Sequence, residues 1–409
     1  MKYVIIGNST AGIAAVEGIR SVDQEGEIVI VTDEPYHTYG RPLISYYLLG
    51  ATDKERMRYR PADFYEKNKV TVLYSEHAEK IDSEAKEVLL KSGKKVSYDK
   101  LLVACGSRPF VPHMEGMEQV KHKFSFMTLD DALALEKQLS PRKRVLIVGA
   151  GLIGLKCLEG ILDRVGSVSV VDLANRVLPS ILDERGSEII RRFLEQRGTK
   201  FYLSDSVERF EDGKAYLKSG TVLTFDILVV AVGVRPNTEL VSAACGEVAR
   251  GIVTDDHQRT SVADVYAAGD CAESFDVTAG VRRILALLPN AYRQGYCAGV
   301  NMAGGDSVFD KAAPLNAIGF FGMHVLTAGS YTGDCYAEGE GDTYRAFFCK
   351  DGLLKGFILV NSPERAGIYT SLVRNQTPLS EVDFALLKEA PCLAAFDRKS
   401  RENMLAREV

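Results

Sequence analysis

Two glycine-rich loops hold the residue types and spacing in this chain that are best suited to chemistry. Each loop directly follows an apolar, β-branched run and opens an apolar helix pattern. In such a strand–turn–helix unit, free N–H groups at the start of the helix face a pyrophosphate. Two complete units predict two bound dinucleotides, and the usual reason to hold two is to pass a hydride between them. The predicted contact residues are Gly7, Ser9, Ala11 and Gly12 in the first loop and Gly149, Gly151, Leu152, Ile153 and Gly154 in the second.

Acidic residues end the strand that follows each loop, where a carboxylate can bind ribose hydroxyls. In the first unit Asp33 is predicted to take the ribose, with Glu34 as the alternative, because only one of two adjacent side chains can point correctly. In the second unit Asp172 would accept a hydrogen bond from a ribose 2′-OH and repel a 2′-phosphate. The second loop is therefore predicted to prefer NAD(H) over NADP(H).

The elements that must position these loops follow a repeated α/β plan. Residues 1–50 read as β-α-β and then a short helix, and period-2 strands follow to residue 104, the last two joined by a turn at Ser92–Gly93. After the second loop come a second β-α-β, an amphipathic helix over about 183–197 and further strands. The motif Ala104–Pro109 matches Ala231–Pro236, which indicates an internal repeat. From about residue 312 the strands and helices contain no such loop.

Composition excludes several other classes of protein. The chain has 409 residues, a net charge of −5 and 46% hydrophobic residues, so it is expected to be globular and not to bind nucleic acid. No apolar run approaches the ~20 residues of a membrane span. The eight cysteines show no metal-binding or iron–sulfur spacing, so no metal site is predicted. A cytoplasmic protein with free thiols is expected.

With these motifs in place, the chain resembles the pyridine nucleotide–disulfide oxidoreductase superfamily over nearly its whole length. The stretches 34–48, 355–360 and 365–372 resemble the branch that holds NADH:rubredoxin oxidoreductases and the flavin part of assimilatory nitrite reductases. The resemblance implies FAD in the first loop and NAD(H) in the second. It also implies two Rossmann-like, three-layer domains and a C-terminal α+β interface domain. The implied bounds are 1–110 with 236–311 for FAD, 111–235 for NAD and 312–409 for the interface domain.

The same resemblance implies further cofactor contacts, two of which also have a plain structural reading. Arg41 could be a surface ion-pair partner, and Asp270 could be a simple helix N-cap. The implied FAD contacts are Arg41, Ser45, Ala78, Ala104, Cys105, Gly106, Arg108, Gly269, Asp270 and Leu287, and Gly233 is the implied contact on the nicotinamide side.

Two departures from the family pattern shape the functional prediction. Related reductases often hold a Lys–Glu ion pair over the flavin, and here those positions are Tyr46 and Lys156. We take both as catalytic candidates: Lys156 would place positive charge at the nicotinamide–flavin junction, and Tyr46 would gate access. The alternative is a Lys156 that points to solvent. In addition, residues 13–104 contain no cysteine, so no redox-active thiol is expected at the flavin.

These features predict an NADH oxidoreductase that exchanges electrons with a small electron-transfer protein, such as a rubredoxin or ferredoxin, or with an iron–sulfur enzyme. The alternatives are an NADH oxidase that reduces O₂ at the flavin and a non-catalytic, nucleotide-sensing flavoprotein subunit. The cation-rich stretch 54–60 and Arg282–Arg283 are candidate docking surfaces for an acidic partner, although charge runs are usually solvated faces. A homodimer through the C-terminal domain is a further expectation.

Overall fold

The computed structural model describes residues 1–405 and divides the chain into two compact units. The first unit contains residues 1–273 and 291–308, and the second contains residues 274–290 and the chain from Phe309 onward. In the first unit the elements, in order, are β1 (Lys2–Ile6), α1 (Thr10–Val22), β2 (Glu27–Thr32), α2 (Ile44–Leu48), α3 (Phe64–Lys67), β3 (Val70–Tyr74), β4 (Ala78–Asp82), β5 (Glu87–Leu90), β6 (Lys95–Ser97), β7 (Lys100–Val103), β8 (Ser107–Pro109), β9 (Lys123–Phe124) and α4 (Leu129–Glu136).

The second loop then opens a closely similar series. It comprises β10 (Arg144–Val148), α5 (Leu152–Ile161), β11 (Ser167–Asp172), α6 (Glu184–Glu195), β12 (Lys200–Leu203), β13 (Val207–Glu211), β14 (Lys214–Leu217), β15 (Val222–Thr224), β16 (Ile227–Val230), β17 (Val234–Pro236), α7 (Glu239–Ala243) and β18 (Val265–Ala267).

The remaining elements belong mostly to the second unit. They are β19 (Ser274–Asp276), β20 (Val281–Arg283), α8 (Leu288–Met302), β21 (Leu315–Phe320), β22 (Met323–Gly329), β23 (Asp334–Glu340), β24 (Thr343–Lys350), β25 (Leu353–Val360), α9 (Ala366–Asn375), α10 (Phe384–Glu389) and α11 (Arg398–Leu405).

Two parallel sheets form the frame of the first unit. One has the strand order β18-β7-β1-β2-β3 and the other β12-β11-β10-β16-β9. Strands β1 and β10 lie inside these sheets, and after their first residue every position is buried. A strand covered on both faces must be apolar at consecutive positions, which explains why the buried residues of both runs are continuously apolar, with Tyr3 the one aromatic residue among aliphatic ones.

Each parallel sheet is accompanied by a three-stranded antiparallel sheet, which precedes β7 in the first half and β16 in the second. These are β4-β5-β6 in the first half and β13-β14-β15 in the second. The internal repeat predicted from the two loops is therefore confirmed, and so is the α/β class with Rossmann-like units. One detail was wrong: the Ser92–Gly93 turn leads into β6, not into β7. Only Val96 is buried in that three-residue strand, so the lysine-rich stretch carries little strand signal.

A short antiparallel ribbon joins the two halves of the first unit. Strand β8 pairs with β17, and Arg108 lies opposite Arg235. These strands carry the two repeated Arg-Pro motifs, so the motifs mark the points at which the chain leaves one half and returns to it.

The second unit is built on an antiparallel sheet of order β21-β22-β25-β24-β23. Its apolar core includes Phe347, Phe357 and Tyr369, where α9 packs on the sheet. Within residues 1–405 no helix is both long enough and apolar enough to cross a membrane.

Candidate functional site

The first loop is shaped by glycines that approach other backbone atoms too closely for a side chain. Gly7 has φ +119°, and a Cβ there would lie 2.1 Å from the Ala104 carbonyl oxygen. A Cβ on Gly12 would lie 2.0 Å from the carbonyl oxygen of Gly7. The loop can therefore be tight, and α1 can pack directly beside β1, only with glycine at both positions.

The N-terminus of α1 is open to a ligand. Ser9 is the N-cap residue, and its side chain makes no capping hydrogen bond. The predicted residues Gly269 and Ala11 meet at this end, since a Cβ on Gly269 would lie 3.2 Å from that of Ala11. The buried Gln294, which sequence reasoning missed, fixes this contact by accepting the N–H of Gly269 at 2.9 Å. The arrangement fits a pyrophosphate received by free N–H groups and the Ser9 hydroxyl.

Charged side chains lie close to the first loop. Burial raises the pKa of Asp270, and the nearby Arg41 guanidinium partly offsets this effect. Arg41 also forms an ion pair with Glu34, whose carboxylate accepts a hydrogen bond from Tyr39 Oη at 2.7 Å. Arg41 therefore forms an ion pair and also lines the small cavity beside the first loop.

Of the two candidate ribose acids, Glu34 is the one that faces inward. It lines a cavity with Asn8, Ser9 and Arg41. The carboxylate of Asp33 is 66% exposed and lies 2.9 Å from His77 Nδ1. The sequence could not separate these neighbours, because which one turns inward depends on the chain after β2.

Several other predicted contact residues are held by hydrogen bonds to the backbone or by ion pairs near the β8–β17 ribbon. The Cys105 thiol donates to the Asn237 carbonyl at 3.1 Å, and the Asn237 N–H donates to the Gly106 carbonyl at 2.9 Å. A hydrogen bond with Cys271 and burial raise the pKa of the Cys105 thiol. Arg108 forms an ion pair with Glu239 at 2.6 Å, so it braces the ribbon between the two halves. Ser45 and Ala104 are buried in the first unit, Ala78 begins β4 there, and Leu287 lies in the second unit before α8.

The second loop repeats the geometry of the first. Gly149 has φ +117°, and a Cβ there would lie 2.3 Å from the Ala231 carbonyl oxygen. A Cβ on Gly154 would lie 2.0 Å from the carbonyl oxygen of Gly149, but one on Gly151 would meet no atom within 4 Å. Open space at the middle glycine is what a pyrophosphate approaching the backbone needs. Leu152 and Ile153 begin α5 beside it, and Gly233 follows β16 with φ +135°.

Asp172 is tied to the backbone around this loop. Its carboxylate accepts the N–H of Ala150 at 2.6 Å and the N–H of Ala174 at 2.7 Å. The next residue, Leu173, is 75% exposed. The Asp172 carboxylate is thus fixed beside the glycine loop, and the solvent-exposed side chain of Leu173 follows it directly in the chain.

Helix α2 of the first half packs directly against helix α5 of the second half. Gly160 of α5 approaches α2 so closely that a Cβ would lie 2.8 Å from the Ser45 carbonyl oxygen. At this crossing the Lys156 ammonium lies 4.2 Å from the centre of the Tyr46 ring. The two residues singled out from the sequence therefore do meet, and Lys156 does not point to solvent, since its side chain is only 16% exposed.

Sequence reasoning missed the third member of this group, Glu159. Its side chain is 4% exposed and forms an ion pair with Lys156. The prediction of a net positive charge from Lys156 was therefore incomplete, because a buried carboxylate compensates it. A lysine and a glutamate three residues apart are typical of an exposed helix face, but the close packing at Gly160 buries this pair. We call Tyr46, Lys156 and Glu159 the junction cluster.

The cation-rich docking candidates are largely occupied by local partners, which weakens that prediction. In the stretch 54–60 three of the four cations are ion-paired, and in the second unit Arg283 is paired with the fully buried Asp276. The pairs in the first stretch are Arg56–Asp53 at 3.4 Å, Arg58–Glu55 at 3.9 Å and Arg60–Glu17 at 2.6 Å.

Comparison with known proteins agrees with this geometry. The family described as pyridine nucleotide-disulphide oxidoreductase matches residues 1–295, which include both loops and the junction cluster. The chain belongs to this family. As a member of the pyridine nucleotide-disulphide oxidoreductases, it is an oxidoreductase that binds FAD and NAD(H).

Similar members of the family have named activities. The chain is 32% identical over 392 residues to NADH-dependent phenylglyoxylate dehydrogenase subunit epsilon of Aromatoleum evansii, a match that covers 93% of each chain. It is 30% identical over 331 residues to the NADH-rubredoxin oxidoreductase of Clostridium acetobutylicum, which covers 80% of this chain and 81% of that one. The crystal structure of a ferredoxin reductase for the CYP199A2 system from Rhodopseudomonas palustris matches 98% of this chain and 99% of its own, with a TM-score of 0.86 and 25% identity. These matches confirm the family resemblance and the fold class.

Proposed function

We propose that this chain is an NADH-dependent flavoprotein that passes electrons between NAD(H) and an iron–sulfur or rubredoxin-like protein. The observation that carries the proposal is the crossing of α2 and α5, which brings the elements after the two nucleotide loops into direct contact. Two loops built for dinucleotides and joined in this way suit the transfer of a hydride from one to the other. When bound, FAD accepts that hydride and releases its electrons singly.

The first loop would hold FAD. The N–H groups at the start of α1 and the Ser9 hydroxyl would bind the pyrophosphate, and Glu34 would take the adenosine ribose in place of Asp33. Arg41 would contribute positive charge, and Asp270 would accept hydrogen bonds from the ribityl chain. The pyrophosphate is a dianion, so the Arg41 guanidinium would stabilise it in this partly enclosed cavity.

The second loop would hold NAD(H). Gly151 leaves room for the pyrophosphate, the start of α5 supplies N–H groups, and Asp172 would accept from the ribose 2′-OH. The carboxylate is already fixed by the N–H groups of Ala150 and Ala174, so it would bind the ribose without further ordering. The same charge would repel a 2′-phosphate, which supports NADH as the donor.

Thiol chemistry has no support near the junction cluster. Cys157 is the cysteine of α5; it is fully buried, and burial raises the pKa of its thiol. Cys105 lies in the first half, where a hydrogen bond with Cys271 and burial raise the pKa of its thiol. Because a thiolate is the reactive form, electrons are proposed to leave through a docked protein. The named partners of the relatives are rubredoxin or a ferredoxin, and phenylglyoxylate dehydrogenase supplies an example of a larger enzyme with a subunit of this type.

An acceptor panel tests this proposal. Purified protein with NADH would be assayed anaerobically against rubredoxin and a two-iron ferredoxin, and aerobically against O₂ alone. We expect rapid reduction of at least one protein acceptor and much slower consumption of O₂. Reduction of O₂ faster than either protein would replace the proposal with an NADH oxidase. Failure of NADH to bleach the flavin would instead favour a nucleotide-sensing subunit.

Two finer parts of the proposal concern assembly and location. We propose a homodimer through the second unit, whose edge strand β23 is exposed at every residue; sedimentation equilibrium of the purified protein tests this. A cytoplasmic location is supported by the eight cysteines, all of which are free thiols.

A further inference from the structure

A histidine nitrogen is buried without a partner beside the first loop. His37 lines the same small cavity as Ser9, Glu34 and Arg41. Among the described residues its Nε2 atom has no hydrogen-bond partner, and the atom is shielded from solvent. A polar atom buried in this way destabilises the protein unless a bound group completes its hydrogen bond.

The other contacts of the ring fix its orientation and its tautomer. His37 Nδ1 lies 3.1 Å from the Thr38 carbonyl oxygen. A carbonyl oxygen only accepts, so Nδ1 carries the hydrogen and Nε2 of the neutral ring is an acceptor. The ring also packs against that of Tyr65, with 4.7 Å between the ring centres.

Tyr65 connects this histidine to the first loop. The Tyr65 hydroxyl accepts the N–H of Thr38 at 3.0 Å and donates to Asn8 Oδ1 at 2.8 Å. Asn8 precedes the N-cap residue Ser9 and lines the cavity as well. The imidazole is therefore held in place relative to the residues that are proposed to bind FAD.

An acceptor at this position needs a donor from the bound group. The pyrophosphate of FAD offers acceptors, whereas the adenosine ribose offers two adjacent hydroxyl donors. Glu34, the proposed ribose acid, already accepts from Tyr39 Oη through Oε2 and is paired with Arg41 through Oε1. A second acceptor beside Glu34 would allow both ribose hydroxyls to be bound, and His37 Nε2 is an acceptor without a protein partner.

We propose that His37 is a binding residue for FAD, whose Nε2 accepts a hydrogen bond from one hydroxyl of the adenosine ribose while Glu34 accepts from the other. This inference rests on the proposed function, in which the first loop holds FAD. Its consequence is that part of the affinity for FAD comes from a histidine outside the glycine loop.

The test uses two substitutions that separate the two nitrogens of the ring. The side-chain amide nitrogen of asparagine can take the place of Nδ1, so His37→Asn keeps a donor to Thr38 but loses the acceptor. The longer glutamine reaches the position of Nε2 with an amide oxygen, so His37→Gln keeps the acceptor. FAD would be titrated by calorimetry into the FAD-free, full-length chain of each variant. We expect FAD to bind about five- to tenfold more weakly to His37→Asn and within about twofold of the wild type to His37→Gln.

Thr38→Val is the matched control. The Thr38 hydroxyl is also buried without a partner among the described residues, but its side chain is not part of the cavity lining. Thr38→Val should therefore bind FAD as the wild type does. Wild-type affinity in His37→Asn, equal weakening in His37→Asn and His37→Gln, or weakening in Thr38→Val as large as in His37→Asn would overturn the inference.

A further variant separates failure of this inference from failure of the site assignment. Glu34→Gln should weaken FAD binding whether or not His37 contacts the ribose. If neither Glu34→Gln nor His37→Asn weakened it, the assignment of FAD to the first loop would fail together with the role of His37. Weakening in Glu34→Gln alone would overturn the role of His37 and leave that assignment in place.

Discussion

Two glycines of the second loop, only three residues apart, should respond in opposite ways to the same added methyl group. In Gly154→Ala the Cβ would lie 2.0 Å from the Gly149 carbonyl oxygen. An ordinary contact is about 3.4 Å, so α5 and β10 would have to separate by about 1.4 Å. Overpacking of this kind costs about 3 kcal/mol, at the upper end of its usual range. In a unit as large as the first one, a loss of about 3 kcal/mol lowers the melting temperature by roughly 5–10 °C.

In Gly151→Ala the new Cβ meets no protein atom within 4 Å, and the backbone there, at φ −80° and ψ −174°, is open to alanine. The melting temperature should therefore fall by no more than about 3 °C, because only the N-cap preference for glycine over alanine, roughly 0.5–1 kcal/mol, is lost. The methyl group would instead stand where the pyrophosphate approaches the backbone. We expect NAD⁺ to bind about tenfold more weakly or worse.

The assay is thermal unfolding by circular dichroism together with calorimetric titration of NAD⁺, with FAD content per chain as the control for the first site. Wild-type affinity for NAD⁺ in Gly151→Ala, or a wild-type unfolding temperature in Gly154→Ala, would refute these expectations. Loss of FAD in Gly151→Ala would also contradict it, since the two loops are separate sites.

Three further predictions follow from the same geometry. Asp172→Ala/Leu173→Arg removes the carboxylate and adds a guanidinium, so the ratio of kcat/KM for NADPH to that for NADH should rise at least about tenfold; an unchanged ratio would show that the acid does not meet the ribose. Burial raises the pKa of Asp270, so folding disfavours its ionised form, and stability falls as the pH rises from the ordinary carboxyl range through the raised pKa. Asp270→Asn should therefore raise the melting temperature of FAD-free protein at neutral pH but not in acid, and an equal effect at both would argue against a buried charge. Iodoacetamide should modify the exposed Cys245 and Cys335 first and leave the rate of flavin reduction by NADH unchanged; inactivation in step with alkylation would reveal a thiol role.

The sequence predicted the frame of the site well because that frame depends on local backbone constraints. A turn that admits only glycine at Gly7 and Gly149 leaves a signature that does not depend on distant residues. The repeated Arg-Pro motifs also marked the two crossing strands. These features could be found from the order and spacing of a few residue types.

What the sequence could not supply was the direction of side chains that depend on tertiary packing. Asp33 and Glu34 are equivalent as residue types, and only the fold after β2 turns Glu34 inward. An i, i+3 Lys–Glu pair is typical of an exposed helix face, yet Lys156 and Glu159 are buried because Gly160 lets α2 approach closely. The signal that could have revealed the buried position of Glu159 is the neighbouring Gly160, a small residue in an otherwise apolar helix.

The central claim is that reducing equivalents pass from NADH to the flavin with no thiol centre between the flavin and the protein acceptor. An anaerobic titration of the purified holoprotein with NADH, followed by flavin absorbance, tests it most directly. One equivalent of NADH per FAD should complete the bleaching, because a single two-electron centre is present. A requirement for two equivalents would show a second, thiol-based centre, and no bleaching would show that the two nucleotide sites do not communicate.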